Sequence, residues 1–212
     1  MFKTKALFLG LSTLALAACN TDGQLTTQGI TVTRSACPAV AIPAGTGDVT
    51  LFNPPASRDA NAIDVVATIT NVRSTCDESG EHIVTTAHFE VQAVRRDNRG
   101  AREVVLPYFA TVVQGADNVV AKEVSRVGLR FEDGQHRATT TGTATSQVLR
   151  SAATLPEDIR RQITRERRPG DPQAALDPMA DPAVRAAVER ARFEVLLGFE
   201  LTPDQLRYNA TR

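Results

Sequence analysis

The stretch Phe193-Glu194-Val195-Leu196-Leu197-Gly198-Phe199-Glu200-Leu201 shows most clearly which fold class this chain adopts. Its large apolar residues occupy every second position, from Phe193 through Leu197 to Leu201. Successive side chains of a β-strand point to opposite faces of a sheet, so this period of two predicts a strand with one buried face. An amphipathic helix would instead repeat its apolar residues every three or four positions.

The same period of two recurs along most of the chain after Cys37. The further strands that it predicts lie at residues 63–70, 83–93, 104–113, 119–131 and 138–148. Turn-forming sequences rich in Asp, Asn and Gly separate them at residues 77–80, 97–100, 115–118 and 133–134. About seven short strands at this spacing predict a mainly β protein, built as an antiparallel, immunoglobulin-like β-sandwich.

Three of these segments carry more specific information. Residues 104–113 are apolar on both faces, which predicts a central strand of a sheet. Residues 119–131 change the phase of their alternation near Glu123–Arg126, and a β-bulge at that point would explain the change. Residues 138–148 are rich in threonine and predict an edge strand.

Residues 154–191 depart from the period of two and predict a helical hairpin inserted before the last strand. Thr154-Leu155-Pro156-Glu157 has the form of a capping box with proline at the first helical position. Asp181-Pro182 predicts the start of the second helix of the hairpin. A third cap, Thr202-Pro203-Asp204-Gln205, predicts a short C-terminal helical turn.

The first helix of the hairpin combines a narrow apolar stripe with a basic surface. Leu155, Ile159 and Ile163 recur every four residues, and the other faces carry arginines. These are Arg160, Arg161, Arg165, Arg167 and Arg168. Arginine binds phosphate through paired hydrogen bonds, so this surface is a candidate contact for lipid headgroups or an acidic partner. The alternatives are a solvated face partly neutralised by nearby carboxylates, or a hairpin that covers a sheet edge.

The N-terminus has the features of an export signal. Lys3 and Lys5 precede an uncharged apolar run at residues 6–18, which is shorter than the roughly 20 residues that span a bilayer. Leu16-Ala17-Ala18-Cys19 resembles the lipobox of bacterial lipoproteins. We therefore expect residues 1–18 to be a lipoprotein signal peptide and Cys19 to carry the lipid. The alternative is an ordinary signal peptide that is followed by a cysteine by chance.

Lipidation of Cys19 would place the protein in the cell envelope. The lipoprotein pattern implies two or three acyl chains, including palmitate, and two chains already give stable anchoring. Asn20 favours the outer over the inner membrane, because Asp at that place often retains lipoproteins in the inner one. Residues 19–34 are rich in Thr, Gln and Gly and predict a flexible tether of roughly 50 Å when extended. Residues 35–212 then form one domain.

Two cysteines remain after the anchor, Cys37 and Cys76. An even pair in an exported protein most simply forms a disulfide. Two buried free thiols are the alternative, and a metal site is less favoured because no histidine lies near either cysteine in sequence.

Several motifs of the domain resemble a family of alphaproteobacterial, sphingomonad-like envelope lipoproteins without an assigned activity. They are Leu106-Pro107-Tyr108-Phe109, Val120-Ala121-Lys122 and the segment from Val195 to Asn209. Members also share the lipobox and an early Cys-Pro pair, here Cys37-Pro38. The resemblance covers most of the chain after Cys19, and it implies a location and a fold but no chemistry.

The remaining sequence predicts neither an enzyme nor a cofactor or metal site. Motifs such as G-x-S-x-G, the P-loop, the Rossmann glycines and H-E-x-x-H are absent. His82, His88 and His136 are predicted surface residues, with a zinc site completed by Glu90 or Asp77 as the alternative. Twenty-four Lys and Arg balance 24 Asp and Glu, so a nucleic-acid partner is not expected.

The function predicted from the sequence is that of a non-enzymatic interaction or structural module, anchored on the periplasmic side of the envelope. The membrane, through the lipid on Cys19, and an envelope protein are the expected partners. A binding module for a small envelope lipid or glycan, held between the sheets, is the first alternative. An anchored hydrolase is the second.

Overall fold

The computed structural model describes residues 23–26, 29–32, 35–165, 170 and 176–211. The predicted signal peptide and Cys19 lie outside these residues, as do Arg167 and Arg168. The chain divides into two compact units, residues 1–34 and 35–212. In the first unit, β1 (Gly23–Thr26) and β2 (Gly29–Val32) pair as an antiparallel hairpin, at a place where the sequence predicts only a tether.

The second unit consists of two four-stranded sheets, with orders β3-β10-β7-β8 and β4-β5-β6-β9. Their strands are β3 (Ala39–Ala41), β4 (Asp48–Phe52), β5 (Ile63–Asp77), β6 (His82–Arg95), β7 (Arg102–Gln114), β8 (Asn118–Phe131), β9 (Arg137–Leu149) and β10 (Phe193–Phe199). Neighbouring strands run antiparallel except β3 and β10, which run parallel. The predicted mainly β sandwich, with helices before its last strand, is confirmed.

The core lies between the sheets and follows the alternation in the sequence. In β10, Phe193, Val195, Leu197 and Phe199 are all buried. The same holds for the inward positions of β6 from Ile83 onward. One close approach requires a glycine: a Cβ atom at Gly142 would lie 2.3 Å from Cζ of Phe89. Aromatic and aliphatic side chains of both sheets therefore meet in one close-packed layer.

The predicted bulge in β8 is present at a different position. The register between β7 and β8 shifts between Val112 and Val113, where Val120 is the extra residue of β8. The expected position near Glu123–Arg126 is therefore wrong. The phase change in the sequence has another cause, because residues 118–126 are exposed on both faces and only the later inward residues of β8 are buried.

The described residues form three α-helices. α1 (Glu157–Thr164) and α2 (Pro182–Ala191) lie between β9 and β10, and α3 (Pro203–Thr211) follows β10. The predicted caps of α2 and α3 are confirmed. Asp181 accepts the Ala183 N–H at 2.8 Å, and Thr202 and Gln205 exchange hydrogen bonds of 2.9 and 3.3 Å. Single-turn 3₁₀ helices lie at Ala60–Ala62 and Pro178–Ala180.

The predicted capping box of α1 is wrong. Pro156 occupies the cap position itself, and no side chain caps the helix. The hydroxyl of Thr154 donates instead to the carbonyl of Arg150 at 2.7 Å. The Arg150 carbonyl lies in the turn that follows β9. The Thr154 hydroxyl, which the sequence predicts to cap α1, therefore donates to this turn instead.

The two helices of the insertion are buried to different degrees. In α2, Val184 and Ala187 are buried. The helix lies against the end of β7, where Gln114 and Gly115 donate to the carbonyls of Arg190 and Arg192 at 2.7 and 2.9 Å. No residue of α1 is buried. Thus α2 completes one end of the sandwich, whereas α1 lies on its surface.

The C-terminal helix α3 is longer than the predicted turn and packs against the sandwich. The ring of Tyr208 meets Phe52 edge-on, with centroids 5.1 Å apart. The Asn209 amide donates to the carbonyls of Gly45 and Asp48, both at 2.8 Å. These contacts give a structural reason for the Tyr-Asn pair of the family-like motif.

Candidate functional site

Cys37 and Cys76 form the predicted disulfide, with 6.1 Å between their Cα atoms. The bond connects the segment before β3 to the end of β5 and therefore links the two sheets. Glu78 adds a second attachment at the same place, because its carboxylate accepts the Ala36 N–H at 3.2 Å and the Ser35 hydroxyl at 3.4 Å. The strand that follows, β3, is only 3 residues long. The disulfide and the hydrogen bonds of Glu78 therefore hold the first residues of the domain to the sandwich.

The disulfide also indicates where the protein folds. Disulfides persist in oxidising compartments and are rare in the cytosol, so the bond indicates an extracytoplasmic location. Within the described part of the chain, no helix has the length and apolar character needed to cross a membrane.

The arginines of α1 are partly paired within the helix. Arg160 and Arg161 both form salt bridges with Glu157, and all three side chains are exposed. Arg165 follows the last residue of the helix. Ile159 and Ile163 are half-buried, so the apolar stripe of α1 is only partly covered by neighbouring residues. Two of the five candidate cations thus share one carboxylate, which leaves the three side chains with a net positive charge.

The histidines lie apart from one another. His82 and His88 are exposed on the outward face of β6, and His88 lies between Arg73 and Thr143 on the neighbouring strands. Nδ1 of His136 lies 3.0 Å from the carbonyl oxygen of Arg95. Among the described residues, no group of three or more His, Cys, Asp or Glu side chains could hold a metal ion.

A buried arginine holds one end of the sandwich together, and sequence reasoning missed it. Arg95 is 2% exposed, and its guanidinium donates to four main-chain carbonyls at 2.8 Å each. The acceptors are Asn98, Gly100, Glu132 and Gln135. The signal was available, because Arg95 continues the inward phase of β6 after Val91 and Ala93.

Charge pairs order the turns around this arginine. The Arg99 guanidinium donates to the carboxylate of Asp97, and these hydrogen bonds hold the Asp97 pKa far below its usual range. The carboxylate of Asp133 accepts the N–H of Gly100 at 2.6 Å. The two turns, 36 residues apart in sequence, are further joined by the Asn98 amide, which donates to the Gly134 carbonyl at 3.1 Å. These residues build a scaffold for the turns.

An exposed apolar strip lies on the outer face of β7 and β8. We define the valine strip as Val105, Val119, Val120 and Val124, whose exposed fractions are 53%, 57%, 48% and 53%. Phe109, half-buried, lies directly opposite Val124 and extends the strip across the two strands. Lys122 and Arg126 lie on the same face between these residues, and the Lys122 ammonium is 5.3 Å from the centroid of the Phe109 ring. The strip is therefore a mixed apolar and basic candidate interaction surface.

The inner side of the same part of β8 borders a cavity of about 200 Å³ between the edges of the two sheets. Tyr108, Ala110, Glu123, Ser125, Thr143, Ala144 and Thr145 line it. The Tyr108 hydroxyl donates to the carbonyl of Thr143 at 2.7 Å and so links β7 to β9. The polar residues Glu123 and Ser125, at the positions that alternate with the outer face, were the signal in the sequence for an open edge.

No protein-family model, no curated protein and no solved structure matches this chain. The chemistry of the described surface is therefore the ground for a functional proposal. The valine strip and the edge cavity are its two most distinctive features, and both involve the first half of β8.

Proposed function

We propose that this protein is a lipid-anchored module of the bacterial envelope that binds a protein partner and does not itself catalyse a reaction. The valine strip carries the proposal, because four half-exposed valines on the outer face of β7 and β8 leave apolar area in contact with water. Burying that area in an interface would contribute about 25 cal/mol for each Å². The resemblance to envelope lipoproteins agrees with such a role.

The anchor part of the proposal is supported by two features in different parts of the chain. Residues 6–18 and the sequence Leu16-Ala17-Ala18-Cys19 have the form of a lipoprotein signal. The Cys37–Cys76 bond is of the kind that forms after export. Lipid on Cys19 would hold the domain at the periplasmic side, with Asn20 favouring the outer membrane.

The cavities favour a protein partner over a small ligand. Sites for small molecules usually enclose about 300–1,000 Å³. The edge cavity of about 200 Å³ is below that range. A larger space of about 730 Å³ falls within that range, but it is an open groove on the surface beside Arg150 and the β5–β6 turn and does not lie between the sheets. A lipid or glycan held between the sheets is therefore the less favoured alternative.

The basic surface of α1 fits the proposal as an auxiliary contact. The helix buries none of its residues, so it can change neighbours at little cost to the core. Binding of a phosphate-bearing headgroup or an acidic partner would exchange the bridges to Glu157 for bonds to that partner. Each exposed bridge contributes only about 0.2–1 kcal/mol, which makes the exchange feasible.

Photo-cross-linking in the native envelope tests the partner proposal. A photoreactive amino acid at Val124 is expected to give one discrete adduct, because this residue lies in the valine strip. Thr141, exposed on the other sheet, is the matched control and is expected to give none. A third probe at Arg161 reports on α1. Absence of a discrete adduct at both Val124 and Arg161, or an equal yield at Thr141, would overturn the proposal.

Replacement of the lipobox cysteine tests the anchor. A Cys19→Ala variant is expected to lose incorporation of labelled palmitate and to leave the membrane fraction. The disulfide should still form in it, since Cys37 and Cys76 belong to the folded domain. A variant that keeps its membrane association would show that something other than lipid on this residue holds the protein.

A further inference from the structure

The sandwich has two long edge strands and two short ones. The edge strands β3 and β4 have 3 and 5 residues, whereas β8 and β9 have 14 and 13. An edge strand offers main-chain N–H and C=O groups that can pair with an added strand. Among the described residues, no strand lies beyond β8 or β9 in its sheet.

The two long edges differ in how far they are already occupied. At the middle of β9, the carbonyl of Thr143 accepts the Tyr108 hydroxyl at 2.7 Å. Charged side chains such as lysine commonly protect an edge. The lysine in the first half of β8, Lys122, is held over the outer face by Glu200 and the Phe109 ring, and three exposed valines accompany it. The first half of β8 is therefore the edge best suited to pairing.

A strand added to β8 would present its side chains alternately to two different surfaces. On the outer face it would meet the valine strip together with Lys122, Arg126 and Arg130 of β8. Lys122 pairs with Glu200 and Arg130 with Glu132. Arg126 is exposed and lies opposite Pro107, which offers it no charge. Apolar and acidic side chains suit this face.

On the inner face the added strand would meet the edge cavity, whose polar groups are acidic or neutral, whereas those of the outer face are basic. The carboxylate of Glu123 borders the cavity, and its cross-strand neighbour is Ala110. No salt bridge joins Glu123 to a cation within residues 35–165 and 176–211. Ser125 adds a hydroxyl. One inserted lysine or arginine side chain fits a space of about 200 Å³ with this lining.

We infer that β8 binds an extended segment of the partner as an additional strand of its sheet. A lysine or arginine of that segment enters the edge cavity beside Glu123, and the alternate side chains, apolar or acidic, cover the valine strip. Main-chain pairing then supplies affinity and the cavity supplies selectivity. The inference rests on the proposed function, of which it names the class of partner.

A phage-displayed library of random linear peptides, selected on the intact protein, tests the inference. Enriched peptides are expected to alternate a basic residue with apolar or acidic ones. The Glu123→Lys variant should bind the enriched peptide at least about tenfold more weakly, because it replaces a charge-assisted contact by repulsion. Glu81→Lys, the same change in an exposed turn, should leave the affinity unchanged. Both variants should fold, since both side chains are exposed.

Hydrogen exchange locates the bound peptide. Backbone amides of residues 118–126 should exchange more slowly in the complex, and those of β9 should not change. Failure to enrich any peptide, protection of another surface, or equal binding by the Glu123→Lys variant would each overturn the inference. If one of these results accompanies a discrete adduct at Val124, strand addition is wrong and the partner-binding function stands. Absence of adducts at both Val124 and Arg161 would overturn the proposed function itself.

Discussion

Replacement of Arg95 by leucine should destabilise the sandwich by about 3–5 kcal/mol, which would be exceptional for removal of a charged residue. The guanidinium is almost completely buried and donates to four carbonyls that belong to two different turns. Its central carbon lies 5.1 Å from the centroid of the Phe131 ring, which adds a cation–π contact. Leucine can occupy part of the volume but can donate to none of the four acceptors.

The magnitude follows from how many of the acceptors can find water. A buried polar group left without a partner costs about 1–3 kcal/mol. Gly100, Glu132 and Gln135 are exposed residues whose carbonyls can be rehydrated in part, whereas Asn98 is half-buried. One or two unsatisfied carbonyls, about 1–6 kcal/mol, plus the lost ring contact, about 1 kcal/mol, give about 2–7 kcal/mol, and the expected range is the middle of this interval. Leucine also removes a buried charge, whose desolvation destabilises the native protein. This gain keeps the loss of stability from being larger.

Denaturant unfolding with the disulfide intact measures this change. An Arg95→Lys variant keeps the charge but has three donors at one point, so it should fall between leucine and the native residue. Arg73→Leu, on the exposed face of β5, is the control and should change stability by less than about 0.5 kcal/mol. A loss below about 1 kcal/mol for Arg95→Leu would mean that water replaces all four bonds, and the structural role given to Arg95 would be wrong.

Three further predictions concern the disulfide, a glycine and an acidic turn. Reduction of the Cys37–Cys76 bond, which closes a loop of 39 residues, should lower the free energy of unfolding by about 4 kcal/mol; an unchanged denaturation midpoint under reducing conditions would contradict this. Gly142→Ala should destabilise by about 1–3 kcal/mol in thermal unfolding, because its methyl group would overlap the Phe89 ring, and an unchanged Tm would show that the ring moves aside freely. Asp97 has a pKa that its hydrogen-bonded arginine lowers in the folded state, so its contribution to stability is complete above about pH 4 and is lost as the pH falls. Unfolding as a function of pH should therefore separate wild type from Asp97→Asn at neutral pH and bring the two together in acid, whereas a constant difference would exclude this origin.

Local periodicity accounts for the parts of the fold that were predicted correctly. The alternation in β10 and β6 encodes which face each strand buries, because side-chain direction depends only on position along the strand. The caps at Asp181 and Thr202 were predictable for the same reason, since both involve residues two or three positions apart. At Thr154 the same rule failed, because a nearby turn offered a competing acceptor.

The features that suggest a function were less accessible. The position of the β8 bulge depends on how β8 pairs with β7, which no local pattern shows. The phase change at Glu123–Arg126 predicts a bulge there, but it reflects the exposure of residues 118–126 on both faces. The polar residues at the inward positions of β8, Glu123 and Ser125, are visible in the sequence. No local pattern shows that β9 leaves these two side chains uncovered. The basic helix was conspicuous in sequence, and the structure pairs two of its arginines with Glu157.

By itself the sequence determined the fold class, the disulfide and the positions of most strands, because these follow from period, spacing and the number of cysteines. Only the tertiary structure decided which strands lie beside one another, which valines remain exposed to water and which carbonyls Arg95 binds. The physical reason is that a period of two fixes the buried face of a strand but not its neighbours. Strand order is set by contacts between residues far apart in the chain, such as Tyr108 with Thr143, and no local pattern records them.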